Sequence, residues 1–496
     1  MQIYASFIFF VKLLRRCQFY FDFFREVVYI FSNILMKIFL SSLGWLFAKC
    51  PECVVNLLCW AVGAIIYYFP FGRISLAHAN IARTLVDVPL AERKKIAFES
   101  ARRMVEMALF VLASPHMSTE NLRQRVEVSE NLMKELADLS ENPRPTVLMI
   151  PHFAMMETIT MFPILVDKKL PRTGVFYRPF DIQGMEDWVR SSRQRFGIDL
   201  LSRKKGLFQA VSYLRDNGCV AVLFDQKVYS GMRSFLLDRI CMTSELAGIL
   251  VENSNASAAT FWATRTGFWR SRIDCKRFTG KTIEEITFEG NQWLSEKLRT
   301  DKIAQCDWLW LHRRWQHIDG LNNLLCLKER KNILQFSLEK MGLTEFPRTF
   351  RIYITMPDAN SDILALLPLI KLMRQSRPDA NVSLLVQKKY VQTLREANVA
   401  DNIVELPNRE DGAFVRISAY KRLRGGYPEV HFNFCDSFLD DICSRVLRAD
   451  FSLAIQTSRK RLFMKDVYKA SQPTKNIADV YEAFLRKYGL KGGLEK

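Results

Sequence analysis

The stretch Thr146-Val147-Leu148-Met149-Ile150-Pro151-His152-Phe153-Ala154-Met155-Met156-Glu157 decides the fold. Its first five residues form a short apolar and β-branched run between Pro145 and Pro151, the signature of a buried strand. The chain then turns polar at His152, and Glu157 falls in the first turns of a following helix. Around this core the same alternation repeats. Residues 174–177, 219–224 and 257–263 read as further strands. Residues 187–196, 206–217 and 285–306 read as helices, and Gly218 closes the second of them. Upstream, Ala97, Ala101, Met104, Ala108 and Val111 recur at helical spacing within one long helix over 89–113. Strands alternating with amphipathic helices predict an α/β sheet. Such sheets build their sites at strand C-termini, which puts His152 in the place where chemistry is expected.

Composition bounds what that chemistry serves. The chain has 496 residues, 71 Lys plus Arg and 52 Asp plus Glu, for a formal net charge of +19. This length allows two or three domains with sizeable cores. Apolar residues at 49% and charged residues at 25% exclude a disordered or collagen-like chain. Mean hydropathy near zero excludes a polytopic transporter but not one or two membrane segments. The positive excess suits acidic lipid headgroups, nucleic acid or an acidic carrier protein. It is spread along the chain and forms no basic tail, so a nucleic-acid arm is not expected. Eleven scattered cysteines do not form a secreted disulfide framework. Cys50 and Cys53 lack a second pair to complete a zinc site and are read as reduced thiols.

The first 72 residues are expected to be membrane-associated helices. Residues 7–24 are dense in aromatic and aliphatic side chains, and no small-residue cleavage site follows them. Residues 27–47 carry one charge, Lys37, and have the length of a span. Residues 54–69 carry none and suit a shorter interfacial or re-entrant helix. Arg73 and Arg83 follow, as expected on a cytoplasmic face.

His152 and Glu157 suit a general base, because a carboxylate can hold one imidazole nitrogen and support the imidazolium that forms on proton transfer. Spacing alone is weak evidence. Six histidines and 52 acids in 496 residues give about 0.6 chance matches to His-x4-acid, and His431 with Asp436 is a second match.

Context separates the two matches. Residues 43–315 resemble the lauroyl/myristoyl acyltransferases of lipid A biosynthesis. The resemblance rests on an ordered set of motifs. Leu43-Gly44-Trp45-Leu46-Phe47 comes first, then Asn80-Ile81-Ala82-Arg83, His152-x4-Glu157 and Tyr177-Arg178-Pro179. Arg193-Gln194-Arg195-Phe196-Gly197, Asp225-Gln226 and the closing run from Trp308 to Trp315 complete it. It implies a membrane-bound O-acyltransferase that moves a fatty acyl chain from acyl carrier protein to an anionic glycolipid such as a lipid A precursor. It implies no cofactor, no metal and no nucleic acid, and it implies the bacterial inner membrane with the site facing the cytoplasm. His152 becomes the general base, polarised by Glu157, and attack is direct because no Ser or Cys nucleophile adjoins it. Arg178, Arg193 and Asp225 become substrate-binding candidates, an Arg there clamping a phosphate or steadying an oxyanion. Residues 227–244 depart from the family's Gly-rich and aromatic run. His312 and His317 are expected on a helix surface.

Residues 73–318 are thus expected to form the acyltransferase-like domain and 319–348 a helical connector. Residues 349–496 are expected to form a second, small Rossmann-like unit. Strands are expected at 350–354, 382–386, 403–406 and 429–434, with helices at 363–375, 390–398 and 437–447. This unit resembles the N-terminal half of heptosyltransferases through Ser361-Asp362-Ile363, Arg377-Pro378-Asp379-Ala380 and the segment around His431 to Asp450. Ser361 stands where that family has Gly, and the chain ends about one half short of it. The unit is therefore expected to dock a partner or glycolipid and not to transfer sugar, and His431 is not expected to be a base. The alternatives are a non-catalytic scaffold of lipopolysaccharide assembly and a bifunctional acyltransferase–glycosyltransferase.

Overall fold

The computed structural model describes residues 33–69, 72–166, 170–202, 206–316, 319–456, 459–469 and 476–492. The aromatic stretch at 7–24, the start of 27–47 and His317 lie outside them. Two α/β layers organise the rest. The first is a seven-stranded sheet built from β1 (Val126–Val128), β2 (Thr146–Ile150), β3 (Thr173–Tyr177), β4 (Asp199–Ser202) and β5 (Cys219–Leu223), with β8 (Ser257–Gly267) and β9 (Arg270–Phe278). Its order is β1-β9-β8-β2-β5-β3-β4, with β8 and β9 antiparallel and every other pair parallel. β2 is central because both of its faces are apolar. Val147 and Met149 pack into one core with Val220, Leu250 and Trp293. Ile150 belongs to the opposite face with Ala221, Phe261 and Ile159.

Between β5 and β8, the residues that depart from the family run form a separate antiparallel hairpin, β6 (Met232–Leu236) and β7 (Arg239–Thr243). Leu237 and Asp238 make its two-residue turn with φ of 50° and 60°, the primed geometry that matches strand twist. The expected helix over 285–306 is two helices, Ile283–Thr300 and Lys302–Asp307. Asp301 breaks them because its side chain caps the second by accepting from the Ile303 and Ala304 amides.

The second layer is a fully parallel six-stranded sheet in the order β12-β11-β10-β13-β14-β15. Its strands are β10 (Phe350–Thr355), β11 (Ala380–Gln387), β12 (Asn402–Leu406), β13 (Val430–Asn433), β14 (Phe451–Gln456) and β15 (Asp466–Lys469). The connector expected to be helical carries one 3-10 turn and one helix, Leu334–Met341. The two layers are joined by buried charge. Glu429 pairs with Arg239 and, at 3.4 Å, with Arg83, while Arg83 also reaches Asp450 at 2.8 Å and the Tyr427 carbonyl at 2.8 Å. Arg83, expected beside a membrane, is therefore a buried tie between the sheets.

At the N-terminal end, helices Asn33–Lys49 and Glu52–Tyr68 meet at 120°. Pro51 stands at the break, where its ring prevents a continuous helix. No single helix among the described residues is long and apolar enough to cross a membrane; this bent pair meets the length and composition requirement only together. The described part of the expected span over 27–47 therefore does not meet the requirement alone, and the chain bends sharply before the second helix. That second helix crosses Leu90–Ala113 closely at Gly63, where a Cβ would lie 2.9 Å from the Arg102 Cα. The outer surface of the pair leaves Phe39, Trp45, Leu57, Trp60 and Phe69 exposed.

Candidate active site

The site follows from strand register. Ile150 of β2 pairs with Leu223 of β5, so the residues two positions beyond, His152 and Asp225, emerge side by side at the C-terminal end of the sheet. The contact is direct: His152 Nδ1 lies 2.5 Å from Asp225 Oδ1, and the His152 backbone N–H donates to Oδ2 at 2.9 Å. Trp308 Nε1 donates to the same Oδ2 at 2.7 Å. Asp225 is 2% exposed. Burial alone would raise its pKa, but the His152 charge and the His152 and Trp308 hydrogen bonds outweigh that and hold it at about 2. A carboxylate only accepts, so Nδ1 carries a proton, and in the neutral ring Nε2 keeps the lone pair. Gln226 Nε2 sits 2.8 Å from it.

This corrects the expected pairing. Glu157 does not hold His152. It lies in the 3-10 helix Met156–Met161 and pairs with Arg193, whose Nε donates to Oε2 at 3.0 Å and whose Nη2 engages Oε1. The tight turn Pro151–Met155 carries Glu157 away from the imidazole, so the acid five residues along the chain loses to one aligned through the sheet. Burial would lower the Arg193 pKa, but Glu157 raises it above its ordinary value, so the guanidinium stays charged. Arg193 is thus already occupied by a carboxylate. Asp225, expected to bind substrate, is instead the partner of His152. Arg178 is exposed just past β3, the strand next to β5, and has no ion-pair or hydrogen-bond partner among the described residues.

The closing run from Trp308 to Trp315 is the back wall of this site. Trp308 forms a bridge with Phe153, and its carbonyl accepts from Ser100 Oγ at 2.9 Å. Asn80 Nδ2 donates to the carbonyls of Trp310 and His312, both at 2.9 Å. Arg314 donates to the carbonyls of Gln226 at 2.9 Å and Met242 at 2.5 Å. The motifs around Asn80, Asp225 and Trp308 therefore meet in space. His312 is a correction: it sits on a turn, half-buried, with its Nδ1 3.4 Å from the Lys227 amide. Burial pushes its pKa down to about 4; Asp225 opposes this, while Arg314 and His152 add to it. Sequence reading missed Gln226 as a contact of His152 and Trp308 as the third donor to Asp225. The Asp-Gln pair after a strand was the signal available for the first.

His431 and Asp436, the second match to the spacing, are not a pair of this kind. His431 is fully buried on β13, where its Nε2 meets Thr355 Oγ1 at 2.8 Å. Asp436 pairs with Arg459 at 3.0 Å.

A family model described as bacterial lipid A biosynthesis acyltransferase matches residues 30–317. Among solved structures, a glycosyl transferase family 9 protein from Veillonella parvula DSM 2008 is similar at 15% identity with a TM-score of 0.25. The similarity covers 28% of this chain and 42% of that one, less than half of its length. No curated protein matches.

Proposed function

Because this chain belongs to the bacterial lipid A biosynthesis acyltransferase family, we propose that it moves a fatty acyl chain from acyl carrier protein to a hydroxyl of a lipid A precursor or related anionic glycolipid. His152 is the general base. The acceptor hydroxyl takes the place of the Gln226 amide at Nε2 and gives up its proton there. Its oxygen attacks the thioester carbonyl, the tetrahedral oxyanion collapses, and the sulfur leaves with the proton returned from the imidazolium. Asp225 keeps Nδ1 protonated, so that Nε2 is the basic atom, and its charge stabilises the imidazolium. The observation that carries this reading is the His152–Asp225 contact at 2.5 Å, with both groups at adjoining strand ends.

Glu157 and Arg193 position the wall beside the base. Arg178, exposed at the rim, offers a free guanidinium to a phosphate of the acceptor. The site works at the cytoplasmic face of the bacterial inner membrane. The exposed aromatic and aliphatic surface of the bent N-terminal pair supports this, because such a surface is stable when it lies in the headgroup boundary. The net charge of +19 suits both an anionic acceptor and an acidic carrier protein. The second α/β unit is held to the first by Arg83, Arg239 and Glu429 and serves as a docking body for a partner or glycolipid. Mass spectrometry of lipid A from cells lacking the protein tests the reading. Loss of one secondary acyl chain is expected; unchanged lipid A would favour a non-catalytic scaffold, and loss of a core sugar a bifunctional enzyme.

A further inference from the structure

The seam between the two α/β units encloses a cavity of about 530 Å³. Its walls come from the hairpin β6–β7, the end of the closing run and the N-terminal ends of β10 and β11. That edge lies opposite the strand C-termini, where open α/β sheets take their ligands. Three guanidiniums line the cavity, Arg233 of β6, Arg239 of β7 and Arg377 just before β11, each 5% exposed. Two of them are matched by acids that also line it: Arg233 pairs with Asp319, and Arg377 with Asp379 at 2.7 Å. Arg239 is less well served. It shares Glu429 with Arg83 and donates from Nη1 to the Thr349 carbonyl at 2.7 Å, while its buried Nε has no hydrogen-bond partner among the described residues. Charge along the seam does not balance either. Arg83, Arg233, Arg239, Arg330, Arg351 and Arg377 meet four carboxylates, Asp319, Asp379, Glu429 and Asp450. Six cations against four anions leave an excess of two. The crowding is felt by the cations themselves. Burial lowers the Arg233 pKa; Asp319 opposes this, and Arg377 and Arg330 add to it. Burial does the same to Arg351, with Arg239 and Arg83 adding and Glu429 opposing.

We propose that this seam cavity is an anion site that holds one dianionic phosphate group, free or carried by a phosphomonoester, among Arg233, Arg239 and Arg377. A phosphate presents acceptor oxygens in several directions, so one takes the Arg239 Nε–H while others accept from the neighbouring guanidiniums. Its two charges offset the two unmatched cations, which otherwise stay buried without compensation. The site goes beyond the acyl-transfer reading and uses none of the catalytic groups. It is nevertheless coupled to them by contact. Trp315 and Met242 line the cavity, and Arg314 donates to the carbonyls of both Met242 and Gln226. A bound phosphate thus fastens the hairpin and the second unit to the wall behind His152.

Isothermal titration calorimetry of the full-length protein with inorganic phosphate and with glucose 1-phosphate tests this. Binding to one site per chain is expected, with a Kd below about 1 mM for the better probe. Tighter glucose 1-phosphate assigns the site to a phosphomonoester, and inorganic phosphate bound at least as tightly assigns it to the free anion. Arg239→Lys keeps a positive charge toward Glu429 but removes the Nε–H, and is expected to weaken binding about tenfold. Gln316 lines the cavity with an exposed side chain, so its replacement does not disturb the core. Gln316→Glu is expected to weaken binding by about tenfold and Gln316→Lys to tighten it. Arg178→Gln tells this site from the free guanidinium at the active-site rim. A wild type that binds neither probe would overturn the proposal, as would binding lost in Arg178→Gln and unchanged in Gln316→Glu. If Arg239→Lys does not fold, the Gln316 pair decides alone, and equal affinities in its two variants would overturn the proposal. No turnover is measured, so a protein that binds phosphate in this way but transfers no acyl group would refute the acyl-transfer reading and leave the anion site standing.

Discussion

Replacing Asp225 with Asn removes one negative charge from beside His152, the proposed base, while keeping the shape of the side chain. The wild-type carboxylate is held from its ordinary 3.8 down to about 2 although it is buried. Burial opposes the anion, so it is the His152 charge and the hydrogen bonds from His152 and Trp308 that keep it ionised, and a step that forms the imidazolium slows when that anion is removed. The carboxamide also presents an N–H₂ group among three donors, the His152 ring, the His152 amide and the Trp308 indole. Turning the imidazole to the other tautomer would satisfy that group and cost Nε2 its lone pair, so the total fall in kcat is expected between about 10² and 10⁴-fold. Initial rates of acyl transfer are the assay, with thermal melting as the check on folding. In Glu157→Gln kcat should fall less, because Arg193 and not His152 loses its partner. A folded Asp225→Asn within threefold of wild type, or a folded Glu157→Gln that falls further than Asp225→Asn, would refute the assignment of Asp225.

Glu429→Gln should lower stability by about 3 to 5 kcal/mol at pH 7, because Arg239 is left buried without its carboxylate while Arg83 keeps only Asp450; urea unfolding measures it. Burial would raise the Glu429 pKa, but Arg239 and Arg83 lower it below its ordinary 4.5. Its stabilisation is therefore complete above that ordinary value and is lost as the pH falls through the lowered one, so the gap between wild type and Glu429→Gln should close on acidification. Gly63→Leu should lower the Tm, since its side chain meets the Arg102 backbone and forces two packed helices apart at a cost of about 1 to 3 kcal/mol. Leu57→Asp with Trp60→Asp should reduce co-flotation with vesicles containing acidic lipid while leaving the melting curve close to wild type, because both side chains are more than half exposed. Undiminished flotation would argue against the bent pair as the membrane surface.

The strand at Thr146–Ile150 and the place of His152 beyond it were legible because a short apolar run between prolines has one stable use in a sheet. The partner of His152 was not, since Asp225 is 73 residues away and reaches it only through the pairing of Ile150 with Leu223. Glu157 had the right chemistry and the right separation, but the turn at Pro151–Met155 and the pull of Arg193 decided otherwise. β9 was missed because it mixes Arg270, Arg272, Lys276 and Arg277 with its apolar residues; as the antiparallel partner of β8 it is exposed on alternate positions. The hairpin β6–β7 was hidden for a related reason, its turn being made by Leu237 and Asp238 at positive φ without the usual Gly. Arg83 was misplaced because a basic residue just after apolar helices reads as lying at a cytoplasmic membrane face unless its buried partner, Glu429, can be seen.

The most direct test of the account is the rate at which purified protein moves a labelled acyl group from acyl carrier protein to a lipid A precursor, compared between wild type and His152→Ala in the same vesicles. The account predicts transfer by the wild type and a rate reduced by about 10³-fold or more in a folded, vesicle-bound His152→Ala. Transfer by His152→Ala at the wild-type rate would contradict it.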